Sequence, residues 1–408
     1  MEKIRQGLFY LLCIMLIFGI LLMDISRVIP SIAMIGIAII GLSYLIIKPE
    51  YAINKNPIPY LALAGTFLIL LPSYFYSDNW GYLLEKWRIA LPYFILPLAF
   101  LMIPPLPKKR YFELYYLYFF LVLLMAISAF VYYLLNQDQV NQLYLESKVM
   151  PSVLTHHPTL SLMLAFANYV AYWFFQSGYY YKYSKEKYLF LLGGIFLFIF
   201  IHVFSVRSGL LALYALIFYE LVRFAVQKRK IFTAILTALG LILIGGTILF
   251  LSPTFSNKLA NTSEDLKAYQ NNESANNKSL ASRIISYQNA IKINQESSLL
   301  FGCGLGDIND LNNTIFKRDF PDVSKPIIPH NQFLFYLASL GLTGVLAFSF
   351  LFFIPFFYHQ NYKNVLLCAH YIVIFISFQF EAPMETQLGV AYSLIFILIP
   401  IHQAKNNE

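Results

Sequence analysis

The sequence predicts an all-α polytopic membrane protein, with about 12 transmembrane helices and one large outer loop between helices 9 and 10. Three observations predict it. Of 408 residues, 59% are hydrophobic and 12% charged, too few charges to cover a soluble chain of this length. The mean hydropathy is +0.62, and the apolar residues come in runs near the roughly 20 residues a bilayer span needs. Lys and Arg gather in alternate connecting segments, as the positive-inside rule requires.

The candidate spans are 7–23, 31–47, 58–74, 89–104, 112–135, 159–175, 188–205, 209–225, 231–252, 331–357, 365–380 and 389–402. The first follows a basic start resembling a secretion signal. No small-residue cleavage site follows, and the next apolar run comes at once, so it reads as a retained span. An even count places both ends on one side. With that side cytoplasmic, its segments and bordering helix ends hold 16 of the 29 Lys and Arg, including "PLPKKR" and "RFAVQKRK". The short outer turns hold five: Arg27, Lys86, Arg88, Lys148 and Arg207. The net charge of +8 therefore reflects topology and does not call for nucleic acid. Aromatic residues, at 18%, suit lipid-facing and interfacial positions.

Three segments follow: 1–252 with helices 1–9, the outer loop 253–330, and 331–408 with helices 10–12 and a short tail. The loop opens on "NKLANTSEDLKAYQNNESANNKS", which reads as flexible. It continues with "LASRIISYQNAIKI", whose Leu280, Ile284, Ile285, Ala290 and Ile291 fall near helical spacing. "LLFGCGLGDIND" follows as a glycine-rich turn. Sequons at Asn261, Asn272, Asn277 and Asn312 are what an Asn-rich loop produces by composition. Cys13 and Cys368 lie in apolar runs and Cys303 stands alone, so neither a disulfide framework nor a zinc spacing exists.

Charged groups inside spans are the usual functional pointers in membrane proteins, and the span centres here are nearly clean. Glu220 and Arg223 are spaced to pair along one helix. No series of buried Asp, Glu or His suggests a proton relay. The polar candidates gather instead on the outer side. Arg207 lies in the shortest turn, "HVFSVRSGLLALY". It reads either as an interfacial snorkelling arginine or as a guanidinium that grips a lipid-linked phosphate. Arg283 lies on the amphipathic loop helix, on a solvated face or toward a ligand. Gly302, Gly304 and Gly306 could let backbone approach a ligand, though "GCGLG" is no dinucleotide fingerprint. His330 and Asn331 open the tenth span. Asn331 can cap the helix; the imidazole is either structural or a base for an attacking hydroxyl. His156 and His157 have no carboxylate near in sequence and read as loop or acceptor-site residues. Lys86 and Arg88 are outward too, as additions to an anionic site or in a structural ion pair with Glu85.

Taken together these features resemble the O-antigen ligase family, which includes related O-antigen and exopolysaccharide polymerases. His330-Asn331, nine residues, Gly341, two residues and Gly344 are similar to its His-Asn…Gly-x-x-Gly signature. Arg207 with Leu211 resembles its Arg-x-x-x-Leu element. "SRIISYQNAIKI…LLFGCGLGDI" resembles the stretch closing its large loop, and "FEAPMETQLGVAYSLIF" its final loop and span. The motifs fall within about 207–393; the first 200 residues are similar in topology alone.

The resemblance implies a glycosyltransferase of a bacterial inner membrane with its active site on the periplasmic face. The implied donor is a glycan on undecaprenyl diphosphate. The acceptor is a lipid A–core sugar hydroxyl for a ligase, or a growing chain for a Wzy-type polymerase. His330 is the implied general base, and Arg207 and Arg283 the diphosphate ligands, with Arg88, Lys86 and Asn331 as secondary candidates. No carboxylate cluster for a metal is evident, so a cofactor-free, metal-independent inverting transfer is expected. The single long loop between helices 9 and 10 leans toward the ligase. A non-enzymatic flippase or transporter should show inverted repeats or mid-span charges, and neither is seen.

Overall fold

The computed structural model describes residues 2–47, 56–146, 150, 156–270, 279–321, 323 and 326–404. Lys148, Asn272 and Asn277 lie outside them. Among the described residues the chain is helical, with no named strand; the one extended pairing is a bridge between Ser298 and Gly302.

Among the described residues, nine helices are long and apolar enough to cross a membrane. They correspond to nine of the twelve expected spans, and the other three regions are helical as well. In the fourth, α4 (Trp80–Ala90) meets α5 (Pro92–Met102) at a break where Pro92 supplies no N–H for the helical ladder. Lys86 and Arg88 thus lie in a helix, whereas the sequence suggested a turn. In the sixth, α8 (His157–Ser177) is long enough but less apolar than the nine. In the eleventh, α16 (Val365–Phe380) is apolar but only 16 residues long.

The chain divides into two compact units. The first comprises Met1–Leu114, Ala268–Tyr371 and Ser377–Glu408. In it α1 (Glu2–Leu21) packs on α2 (Val28–Ile47), and both α2 and α3 (Ile58–Leu68) pack on α5. The last helix, α17 (Gln387–Ala404), runs through the middle, with 83% of its apolar window buried. The second unit comprises Tyr115–Lys267 and Ile372–Ile376. There α8 packs against α9 (Glu186–Phe204) and α10 (Arg207–Lys228), and α10 against α11 (Ile231–Leu251). The apolar window of α11 is only 11% buried; a helix apolar all round and this exposed needs a lipid environment.

The 253–330 segment holds more structure than its composition suggests. The stretch read as flexible contains α12 (Pro253–Gln270). Its polar side chains bond inward: Thr254 Oγ1 to the Val203 carbonyl at 2.6 Å, Asn257 Nδ2 to that of Asn141 at 3.0 Å, and Asn261 to that of Tyr144. Asn261 and Asn312 are both buried, which makes neither sequon accessible to a glycan. The expected amphipathic helix is α13 (Ser279–Glu296). Its Ala281 and Ile285 pack on Phe316 of α14 (Ile308–Asp319).

The helix that His330 precedes, α15 (Gln332–Phe357), is broken at Gly341, with φ 67° and ψ −170°. The glycine turn fills the break. Cys303 N and Gly304 N donate to the carbonyls of Ala338 and Ser339, both at 2.9 Å, and Leu342 N donates to that of Leu299 at 2.9 Å. A Cβ on Gly302 would lie 2.5 Å from the Ser339 carbonyl carbon, and one on Gly341 2.3 Å from that of Leu300. These glycines therefore let the turn and the helix meet backbone to backbone, where the sequence suggested that Gly302 let backbone approach a ligand. Asp307, at the end of the turn, accepts from Asn79 N at 2.8 Å and Asp78 N at 3.0 Å, so its carboxylate is committed to the start of α4.

Candidate functional site

His330 sits immediately before α15, whose first turn is capped by Asn331: its side-chain oxygen accepts from Leu334 N at 3.0 Å. The cap fixes where the helix starts and hence where His330 leaves it. The second anchor is Tyr287 on α13. Its hydroxyl lies 3.0 Å from the His330 carbonyl and 2.9 Å from that of Gln379, a three-centred arrangement joining α13, the start of α15 and the end of α16. Burial pushes the Tyr287 phenol above its usual range, while nearby Arg283 acts in the opposite sense, so at neutral pH the hydroxyl remains a donor.

Helix α16 ends at Phe380, and the chain turns extended at Glu381 (φ −147°, ψ 165°). That carboxylate reaches two partners. Oε2 lies 3.0 Å from His330 Nδ1, and Oε1 lies 3.3 Å from Arg283 Nη2. The Glu381 side chain is 17% exposed, Arg283 22% and His330 40%. Glu381 thus joins two residues the sequence singled out, 51 and 98 positions away from it. Sequence reasoning quoted its segment but did not name it. The available signal was an acid at the end of an apolar run, in the short connection before the last span.

This geometry defines a chemical state. A carboxylate accepts from Nδ1–H, so in neutral imidazole Nε2 carries the lone pair. Among the described residues nothing hydrogen-bonds Nε2. Arg283 carries five N–H donors, of which the contact with Glu381 uses one.

Lys86 is 8% exposed and pairs with Glu385 at 3.1 Å; the pairing with neighbouring Glu85 suggested by sequence is replaced by one across the fold. Burial penalises the Lys86 ammonium most, but the charge of Glu385, the neighbouring Tyr82 and the hydrogen bonds to both together outweigh this, and its pKa lies above the usual value. Burial raises the Glu385 carboxyl, against the opposing effect of Lys86. Arg88 is exposed and has no ion-pair partner among the described residues. Arg207 begins α10 in the second unit and donates to Thr262. His156 and His157 open α8 in that unit, and Glu220 and Arg223 form the helix pair their spacing predicts, Oε2 to Nε at 2.9 Å. Among the described residues no group of three or more His, Cys, Asp or Glu is placed to hold a metal ion.

A cavity of about 1140 Å³ lies elsewhere in the first unit, between residues 72–79 and 297–314, and none of these groups lines it.

A helical chain with many apolar spans is a multi-pass membrane protein, and its first unit brings His330, Glu381 and Arg283 together. Residues 182–349 match the family model described as O-antigen ligase. The match includes Arg207, Arg283, His330 and Asn331 and stops short of Glu381; Lys86 and Arg88 precede it. No curated protein matches the chain.

Proposed function

We propose that the protein is an O-antigen ligase, transferring a glycan from undecaprenyl diphosphate to a lipid A–core sugar hydroxyl on the periplasmic face of a bacterial inner membrane. The observation that carries this reading is the carboxylate of Glu381 held between His330 Nδ1 and Arg283. It gives the imidazole a fixed tautomer and a partner for the charge it acquires on taking a proton. It also sets a cation beside the base.

In the proposed transfer, His330 Nε2 takes the proton of the acceptor hydroxyl as its oxygen bonds to the anomeric carbon. The bond from that carbon to the diphosphate oxygen breaks, with inversion. A positioned base of this kind typically contributes about 10²–10⁴ in rate. Arg283 binds the departing diphosphate, an electrostatic role in which a preorganised donor meets developing charge, and Arg207 is proposed separately as a ligand of the donor's phosphate. Diphosphate is a good leaving group, so the proposal needs neither an acid at that oxygen nor a metal. Asn331 fixes the helix start, and Lys86 is spent on Glu385.

The test is reconstitution with purified undecaprenyl-diphosphate glycan and lipid A–core, with and without excess chelator. Glycan on lipid A–core at an undiminished rate in chelator supports the proposal. Lengthened lipid-linked glycan identifies a polymerase instead, and flipping without transfer refutes an enzyme.

A further inference from the structure

The connection between α16 and α17 carries two carboxylates four residues apart. Glu381 faces His330 and Arg283; Glu385 faces Lys86. The first contact belongs to the site just described. The second has no place in it, although a lysine ammonium 8% exposed is costly to bury without a partner.

What the buried pair holds is the turn. Pro383–Glu385 is a single 3-10 turn, closed by Glu385 N on the Ala382 carbonyl at 3.1 Å and Thr386 N on that of Pro383 at 3.2 Å. Lys86 grips its last residue. Gln332 Oε1, two residues beyond His330, accepts from Met384 N at 2.9 Å. On the other side of Glu381, Asn331 Nδ2 reaches the Gln379 carbonyl at 3.3 Å. The start of α17 closes on the turn from behind: a Cβ on Gly389 would lie 2.1 Å from the Pro383 carbonyl oxygen. Glu381 is extended, and its own backbone N–H bonds back to Ser377 in α16 at 2.9 Å. Its carboxylate position is therefore set by the end of α16 on one side and by the pinned turn on the other.

We infer that Lys86 is a positioning residue for glycosyl transfer: its buried ion pair with Glu385 fixes the turn that keeps Glu381 on His330 and Arg283. The inference rests on the reading of His330 and Glu381 proposed above. It also assigns Lys86 away from the diphosphate. The ammonium lies beside the Tyr82 and Phe335 rings, 5.0 and 5.6 Å from their centroids, and its charge is already met by Glu385.

The experiment measures kcat and donor KM per folded enzyme, in the reconstituted assay, for Lys86→Met, Glu381→Gln, the double variant Lys86→Met/Glu381→Gln, and the charge swap Lys86→Glu/Glu385→Lys. A positioning role predicts that Lys86→Met lowers kcat about tenfold with donor KM within about twofold, since a group that acts only on the base's geometry affects the chemical step. The same substitution made on Glu381→Gln costs little more, because both act through one carboxylate. The charge swap restores most of the lost kcat, and it keeps the inference testable if Lys86→Met does not fold. A donor KM raised about tenfold or more with no rescue by the swap overturns the inference and returns Lys86 to the diphosphate. Full additivity of Lys86→Met and Glu381→Gln overturns it also. If Glu381→Gln alone keeps full activity, the reading of the site falls and this inference with it; if Glu381→Gln is impaired and Lys86→Met is not, only the inference falls.

Discussion

Replacing Glu381 by glutamine removes the charge facing His330 while keeping a side chain of the same size that can still accept from Nδ1–H. The geometry sets the scale. Two unit charges 3 Å apart interact by about 5.5 kcal/mol at an effective dielectric near 20. His330 is 40% exposed, and Arg283 at 3.3 Å already neutralises part of the Glu381 charge, so solvent and the guanidinium together leave a fraction of that figure. Taking about 1.5–3 kcal/mol for the imidazolium that develops during transfer gives a fall in kcat of roughly 10- to 150-fold. The assay is initial-rate transfer in proteoliposomes at saturating donor and acceptor, with folded protein quantified by size exclusion. Donor KM should rise only modestly, because Arg283 keeps its place. If Glu381→Gln runs within twofold of wild type while His330→Ala is inactive, the carboxylate plays no part in the base and the reasoning fails.

Other variants test separate links. Gly341→Ala should destabilise by about 3 kcal/mol or more, since φ 67°, ψ −170° is essentially glycine-only and the new Cβ meets the Leu300 backbone at 2.3 Å. Gly240→Ala, with open space around it, should leave the melting temperature in detergent nearly unchanged; equal effects of the two would contradict the broken helix. In Lys86→Met, Glu385 loses the charge that opposed its burial. Its folded pKa, already raised, then exceeds the unfolded value of a free glutamate, so the folded state binds the proton more tightly and stability falls as pH rises between the two values. Melting temperature should accordingly drop more steeply from pH 5 to 8 than in wild type, and a flat profile would speak against an unpaired Glu385. Arg207→Ala should raise donor KM about tenfold or more through loss of a charge-assisted phosphate contact; unchanged donor KM and kcat would remove Arg207 from the site.

The spans were legible because hydropathy over about 20 residues is a strong local signal. The three regions that fall short do so for local reasons: Pro92 interrupts one, Asn168 and the neighbouring polar positions dilute another, and the last is only 16 residues long. α13 was legible from its spacing, and Asn331 as a cap from its place before an apolar run. What escaped were contacts between segments far apart in the chain. Nothing near Lys86 points to a partner 299 residues away, so neighbouring Glu85 was the obvious candidate. Gly341 inside an apolar run looks like a packing position, because the backbone break it supports is visible only with the loop that fills it. The helix α12 was hidden by its Asn-rich composition, which serves bonds to distant carbonyls. Glu381 is the most instructive case. Histidine and arginine each had two open readings in sequence, and one acid from the last connection favours the chemical reading of both.

The central claim is that His330 takes the acceptor proton, and a single-turnover comparison tests it most directly. Donor binding and glycan transfer to lipid A–core are followed separately for wild type and His330→Ala in the same proteoliposomes. The account predicts donor affinity within about threefold and a transfer rate lower by about 10² or more, the range a positioned base supplies. A variant that binds donor and transfers glycan at the wild-type rate would contradict it.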